Sequence, residues 1–135
     1  MLSKSIESKN IAFLVDGQRI LHNINDLNLK SLTESLEQYG DLIIKKILLN
    51  QSASDNTIET AIEQGFSPIV INEDNNIDLV LESLDLIYNP HIHSLALMTK
   101  DTNFIPIINK AKQEGKQTII INEQGFSQDL IIKKH

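Results

Sequence analysis

The sequence contains no cysteine and no tryptophan, and it has only four phenylalanines and two tyrosines. The lack of cysteine excludes a disulfide framework, a thiolate zinc site and a cysteine nucleophile. The scarcity of aromatic rings argues against a platform on which unpaired bases stack. Hydrolytic chemistry in this chain would therefore use carboxylates, hydroxyls or histidine.

The chain also lacks an excess of positive charge and any long apolar run. Its formal charge of -6 at pH 7 repels a polyanion, whereas affinity for nucleic acid comes mainly from Lys and Arg. A nucleic-acid contact would therefore be local. The longest apolar runs, such as residues 47–49, are far too short to span a bilayer. We expect a cytoplasmic protein without membrane contact, and leave a monomer and a homodimer open.

Short apolar runs alternate with helical patterns along the whole chain, and 41% of its 135 residues are hydrophobic. This balance predicts one globular domain, residues 1–135, with an ordered core at about residues 10–128. Predicted strands are 11–15, 42–49, 68–71, 94–98 and 117–121. Predicted helices are 29–39, 57–64, 77–88 and 104–114, and a short helix is expected within 125–135.

Strands joined through helices by short loops form parallel sheets with helices on both faces. The expected fold is therefore a three-layer α/β/α domain with a mainly parallel, doubly wound sheet of about five strands. Its expected strand order is 3-2-1-4-5.

Three acids are placed to meet at one edge of this sheet. Asp16 ends the first strand, Asp101 follows the fourth, and Asp78 lies in the first turn of the helix between them in sequence. Ligands of open α/β sheets bind beyond the carboxyl ends of the strands where the strand order reverses. Close carboxylates repel unless a cation neutralises them, and oxygen ligands favour Mg²⁺. Taken singly, each acid is equally typical of a turn or a helix start.

The same acids belong to motifs that occur in a fixed order. They are the apolar strand ending in Asp16 and Gly17, the pair Ile77 and Asp78 that opens a long helix, and the segment TKDTNFIP at residues 99–106. In this combination the chain resembles the NYN-domain family, a branch of the PIN-like nucleases, and especially its archaeal uncharacterised subgroup. The resemblance extends from about Ile11 to Ser127.

This resemblance implies endonucleolytic cleavage of RNA that depends on Mg²⁺ or Mn²⁺. The implied catalytic residues and metal ligands are Asp16, Asp78 and Asp101, with Asn103 as a further oxygen ligand. The predicted substrate contacts are Arg19, Thr99 and Lys100. Thr99 could instead hydrogen-bond near the turn, as Ser or Thr does in PIN-like proteins, or be an ordinary strand residue.

The sequence departs from the family pattern at three places. Arg19 stands where the family usually has Asn, and Asn103 stands where it usually has a second Asp; Asn75 or Asn76 also replaces a Lys. Arg19 could contact phosphate or remain a solvated loop charge. These departures favour an alternative function, a catalytically weakened domain that binds RNA or protein.

Other readings have less support. A receiver-like phosphoacceptor domain would need paired acids and a late Lys that are not evident, and an Asp-nucleophile phosphatase expects an acid at Gln18. Asp85, seven residues after Asp78, is a minor ligand candidate. His91 and His93 have a spacing that metals can use, but lack further ligands. Three lysines after the pocket could meet phosphate or form a solvated face; they are Lys110, Lys112 and Lys116.

Overall fold

The computed structural model describes residues 9–17, 29–71, 77–99, 104–122 and 131–134. Within them the strands are β1 (Asn10–Asp16), β2 (Asp41–Asn50), β3 (Ser67–Ile71), β4 (Ser94–Met98), β5 (Gln117–Asn122) and β6 (Ile131–Lys134). The helices are α1 (Leu29–Leu36), α2 (Asp55–Glu63), α3 (Ile77–Ile87) and α4 (Ile105–Gln113). The described helices include none that is long and apolar enough to cross a membrane.

The strands form one sheet in the order β3-β2-β1-β4-β5-β6. The first five are parallel to their neighbours, which confirms the predicted order 3-2-1-4-5 and the mainly parallel sheet. β6 pairs with β5 in the antiparallel direction. The expectation of a helix at the C-terminal end is therefore wrong for Ile131–Lys134, and the rest of that predicted helix lies outside the described residues.

Helices cover both faces of the sheet, which confirms the three-layer architecture. On the first face, α1 and α2 pack on alternate residues of the central strands, including Phe13 and Val15. The rings of Phe13 and Phe66 meet edge to face with centroids 5.5 Å apart, an arrangement worth about 1 kcal/mol beyond its buried area. On the second face, α3 and α4 pack on the intervening residues, including Leu14 and Leu97.

Two helix ends show how local chemistry sets the boundaries. α2 begins after Ser54, whose hydroxyl accepts a hydrogen bond from the Thr57 amide at 3.1 Å and so caps the helix. α1 was expected to reach Tyr39 because the apolar spacing continues that far. It ends at Leu36, and the Tyr39 amide donates to the Leu36 carbonyl in a tighter turn.

The parallel topology gives each end of the sheet a fixed identity. β1 to β5 all end at one edge, here called the carboxyl edge, and all begin at the opposite, amino edge. A helix between two such strands must run back from the carboxyl edge to the amino edge. The first turns of α3 and α4 therefore lie at the carboxyl edge, and their last turns lie at the amino edge.

Candidate active site at the carboxyl edge

Asp16 is the last residue of the central strand β1 and is fully buried. β1 lies between β2 and β4, so the apolar residues from Ile11 to Val15 are buried on both faces of the sheet. Asp16 is in register with Leu48 of β2, which belongs to the core of the second face. The chain thus places a carboxylate at the carboxyl edge, on the face covered by α3 and α4.

Thr99 is a hydrogen-bond partner of this carboxylate. Val15 and Met98 are partners in the β1–β4 pairing, so the next residues of both strands lie side by side. The Thr99 hydroxyl donates to Asp16 Oδ2 at 2.8 Å, and both side chains are buried. A buried carboxylate is costly without such donors. The bond joins the ends of two neighbouring strands at the point where the strand order reverses.

Asp78 lies in the first turn of α3 and is partly buried. Because α3 runs from the carboxyl edge and packs on β1 and β4, Asp78 shares both the edge and the face of Asp16. An acid in a first helical turn is also stabilised by the helix dipole. Asp85 is exposed two turns further along α3, in the direction of the amino edge, and so is poorly placed to be a ligand beside Asp16.

Four predicted site residues lie outside the described residues: Arg19, Lys100, Asp101 and Asn103. The strand that ends at Asp16, β1, and the strand that precedes Asp101, β4, are adjacent in the sheet, as predicted. Asp101 follows Thr99 by two residues, and its place in the pocket stays a prediction.

The predicted site residues that the structure describes at this edge are Asp16, Asp78 and Thr99, and their side chains offer oxygen atoms. Such donors suit a hard ion such as Mg²⁺ or Mn²⁺ and not a thiolate zinc site. Within the described ranges, no three His or acidic side chains gather into a group that could hold a metal. A complete ligand set would therefore need Asp101, whose position in the pocket is a prediction.

His91 and His93, which have a spacing that metals can use, make structural contacts at the amino edge. His93 Nδ1 accepts a hydrogen bond from the Asn10 amide at 2.9 Å, and the Asn10 side-chain amide donates to the His91 carbonyl at 2.9 Å. These bonds join the start of β1 to the turn before β4. Both residues therefore contribute to packing at the edge opposite Asp16.

The three lysines proposed as phosphate contacts lie toward the amino edge and away from the pocket. Lys116 Nζ donates to the carbonyls of Asn89 and Ile92 at 3.0 and 2.5 Å, so it closes the turn before β4. Lys110 Nζ lies 5.4 Å from the ring centroid of Tyr88, and a side-chain hydrogen bond with Tyr88 raises the pKa of Lys110. Lys112 is exposed in the last turn of α4. The geometry argues against the phosphate interpretation.

A polar residue that was not predicted to belong to the site shares the face and edge of Asp16. Asn50 is the last residue of β2 and pairs in register with Ile71 of β3, which belongs to the core of the second face. The available signal was its position, because Asn50 ends an apolar strand as Asp16 does. Its neighbourhood in space follows only once β2 is known to lie beside β1.

Comparisons with known proteins agree with this architecture. The family model described as the NYN domain matches residues 10–134. An uncharacterized protein of the archaeon Methanocaldococcus jannaschii is 40% identical over 118 residues, covering 87% of this chain and 49% of that relative. The chain therefore spans about half the length of this relative. No solved structure matches. The match over nearly the whole chain, together with the predicted strand order, shows that this chain belongs to the NYN domain family.

Proposed function

We propose that this NYN domain is an endoribonuclease that hydrolyses RNA phosphodiester bonds with Mg²⁺ or Mn²⁺ held by carboxylates. Membership of a PIN-like nuclease family supports the reaction class. The main structural support is the buried pair of Asp16 and Thr99 at the carboxyl edge. A carboxylate buried at a strand end destabilises a fold unless it is well compensated, and such groups concentrate at functional sites.

The proposed metal ligands are Asp16, Asp78 and Asp101, with Asn103 as a further oxygen ligand. A divalent ion held by them would supply positive charge to neutralise the scissile phosphate. Thr99 restricts the Asp16 carboxylate to one orientation, because its hydroxyl occupies Oδ2. Such restriction keeps a ligand oxygen in place as the substrate enters.

Hydrolysis forms a bond between a water oxygen and phosphorus and breaks the bond to the departing ribose oxygen. The water loses a proton, and the departing oxygen gains one. Asp78 is the described carboxylate best placed to accept the water's proton, because it is partly exposed whereas Asp16 is buried. Arg19 and Lys100 are proposed to contact the substrate phosphates. No covalent intermediate with the protein is required.

A circular RNA substrate tests the proposal, because only an endonuclease can open a molecule without ends. The purified domain should linearise the circle in Mn²⁺ or Mg²⁺, and excess chelator should stop the reaction. A circle that stays closed across a titration of both ions would contradict the proposal. It would favour the second candidate, a catalytically weakened module that binds RNA or protein, to which Asn103 in place of the family's acid also points. A cytoplasmic location stays a prediction, and the choice between a monomer and a homodimer stays open.

A further inference from the structure

Asn50 lies close to Asp16 on the same side of the sheet. Asp16 is in register with Leu48, and Asn50 is two residues further along the adjacent parallel strand. Strand spacing and rise place the Cα atoms of Asn50 and Asp16 about 8 Å apart. Because its partner Ile71 belongs to the core of the second face, Asn50 lies on the face that carries Asp16 and Thr99.

Hydrogen bonds fix the direction of the Asn50 amide. Its Oδ1 accepts from the Ser52 backbone amide at 3.0 Å and from the Ser52 hydroxyl at 2.5 Å. The Ala53 amide also donates to the Asn50 carbonyl at 3.1 Å. Because Oδ1 accepts hydrogen bonds within the turn, the amide nitrogen Nδ2 is the atom that can donate to a ligand. Within the described part of the chain Nδ2 makes no hydrogen bond. Asn50 thus presents a fixed donor at the carboxyl edge.

The chemistry of this donor suits an anionic strand beside a metal site. The segment from Asn50 to Ser54 is uncharged, and all of its residues except Ala53 are polar. A neutral N–H can donate to a phosphate or ribose oxygen, and it adds no positive charge that would compete with the metal ion for the carboxylates, as a lysine there would. Asn side chains are regular partners of nucleic-acid backbones.

We propose that Asn50 is a substrate-contacting residue whose amide N–H donates to a backbone oxygen of the RNA strand bound across the carboxyl edge. This inference rests on the proposed function. It assigns part of the RNA path to the β2 side of Asp16, between β1 and the loop that leads to α2.

Asn50→Asp is the test variant, because it keeps the oxygen that accepts from Ser52 and replaces the donor with an anionic oxygen. Gln51→Glu adds the same charge at the next residue and controls for electrostatic repulsion. Asn89→Asp controls for the turn, because Asn89 Oδ1 accepts from the His91 amide at 2.9 Å in an equivalent turn at the amino edge. Asn50→Ser, which can retain the turn without the amide N–H, serves if Asn50→Asp does not fold.

Binding of a short fluorescein-labelled single-stranded RNA is measured by anisotropy without divalent ions, and cleavage is measured with Mn²⁺. Asn50→Asp should weaken binding about tenfold and raise KM more than it lowers kcat. Gln51→Glu and Asn89→Asp should stay within about twofold of the wild type. Equal losses in Asn50→Asp and Gln51→Glu, or no loss in Asn50→Asp, would overturn the inference.

The two proposals can fail separately in this design. Wild-type protein that binds the RNA and loses affinity through Asn50→Asp, but never cleaves, would contradict the nuclease function and leave the contact in place. If the wild-type protein cleaves RNA and Asn50→Asp leaves the KM unchanged, the nuclease function is supported and the Asn50 contact is contradicted. Wild-type protein that neither binds nor cleaves RNA would overturn both.

Discussion

The Thr99 hydroxyl and Asp16 Oδ2 are 2.8 Å apart, and this hydrogen bond joins the carboxyl ends of β4 and β1. Both side chains are buried on the face covered by α3 and α4. A donor to a buried carboxylate stabilises its charged form and restricts its rotation. Thr99 is thus a positioning residue for the carboxylate on which the proposed site is centred.

Thr99→Val tests this role, because valine has nearly the same shape and lacks the hydroxyl. Loss of the donor to a buried carboxylate should lower the free energy of unfolding by about 1–3 kcal/mol. The rate of RNA cleavage should also fall. Thr99→Ser is the matched control; it retains the hydroxyl and should keep most of the cleavage activity. Urea unfolding and cleavage rates on both variants give the answer, and equal cleavage by the two would remove Thr99 from the site.

Asn103→Asp restores an acid that the family pattern usually has. The added carboxylate should raise affinity for Mn²⁺ and increase the rate of RNA cleavage, because an amide supplies an oxygen but no charge. It should also lower the stability of the metal-free protein, since close carboxylates repel one another.

Calorimetric titration with Mn²⁺ and metal-free melting curves measure both effects. Asn109→Asp adds the same charge on the exposed side of α4 and should change neither. Unchanged metal affinity in Asn103→Asp would place residue 103 outside the pocket.

Lys116→Met separates a structural role from a role in RNA binding. Its ammonium group donates to the carbonyls of Asn89 and Ile92 at the amino edge, and its removal should cost about 1–3 kcal/mol of stability. RNA binding and cleavage should stay as in the wild type at temperatures where the variant is folded. Lys112→Met, on the exposed end of α4, should leave stability within about 0.5 kcal/mol. Weaker RNA binding by Lys116→Met with unchanged stability would restore the phosphate interpretation.

The central strands could be predicted from the sequence because parallel strands that are buried on both faces consist of continuous apolar runs. Residues 11–15 and 94–98 illustrate this, and the helices between strands then fix a parallel order. β6 could not be predicted in this way. Its four residues from Ile131 to Lys134 are too short to show a period, and their antiparallel pairing with β5 depends on contacts that are not local in sequence.

The site was only partly predictable for a related reason. Asp16 and Thr99 follow apolar strands, so their positions at one edge come directly from the strand order. The lysines after β4 precede β5 in the chain, and their position in sequence places them just after the pocket residues. α4, however, carries the chain back to the amino edge, as the predicted parallel order already requires. Asn50 was missed because a polar residue at a strand end is ordinary until its neighbour on the sheet is known.

Asp16→Asn tests the nuclease proposal most directly. Asparagine has the shape of aspartate and can still accept the Thr99 hydrogen bond, but it lacks the charge that would hold a divalent ion. The account predicts that Asp16→Asn is at least as stable as the wild type in urea unfolding and does not cleave RNA at any Mn²⁺ or Mg²⁺ concentration at which the wild type does. Cleavage at the same rate by equally pure preparations of the two proteins would contradict it and would point to a contaminating nuclease.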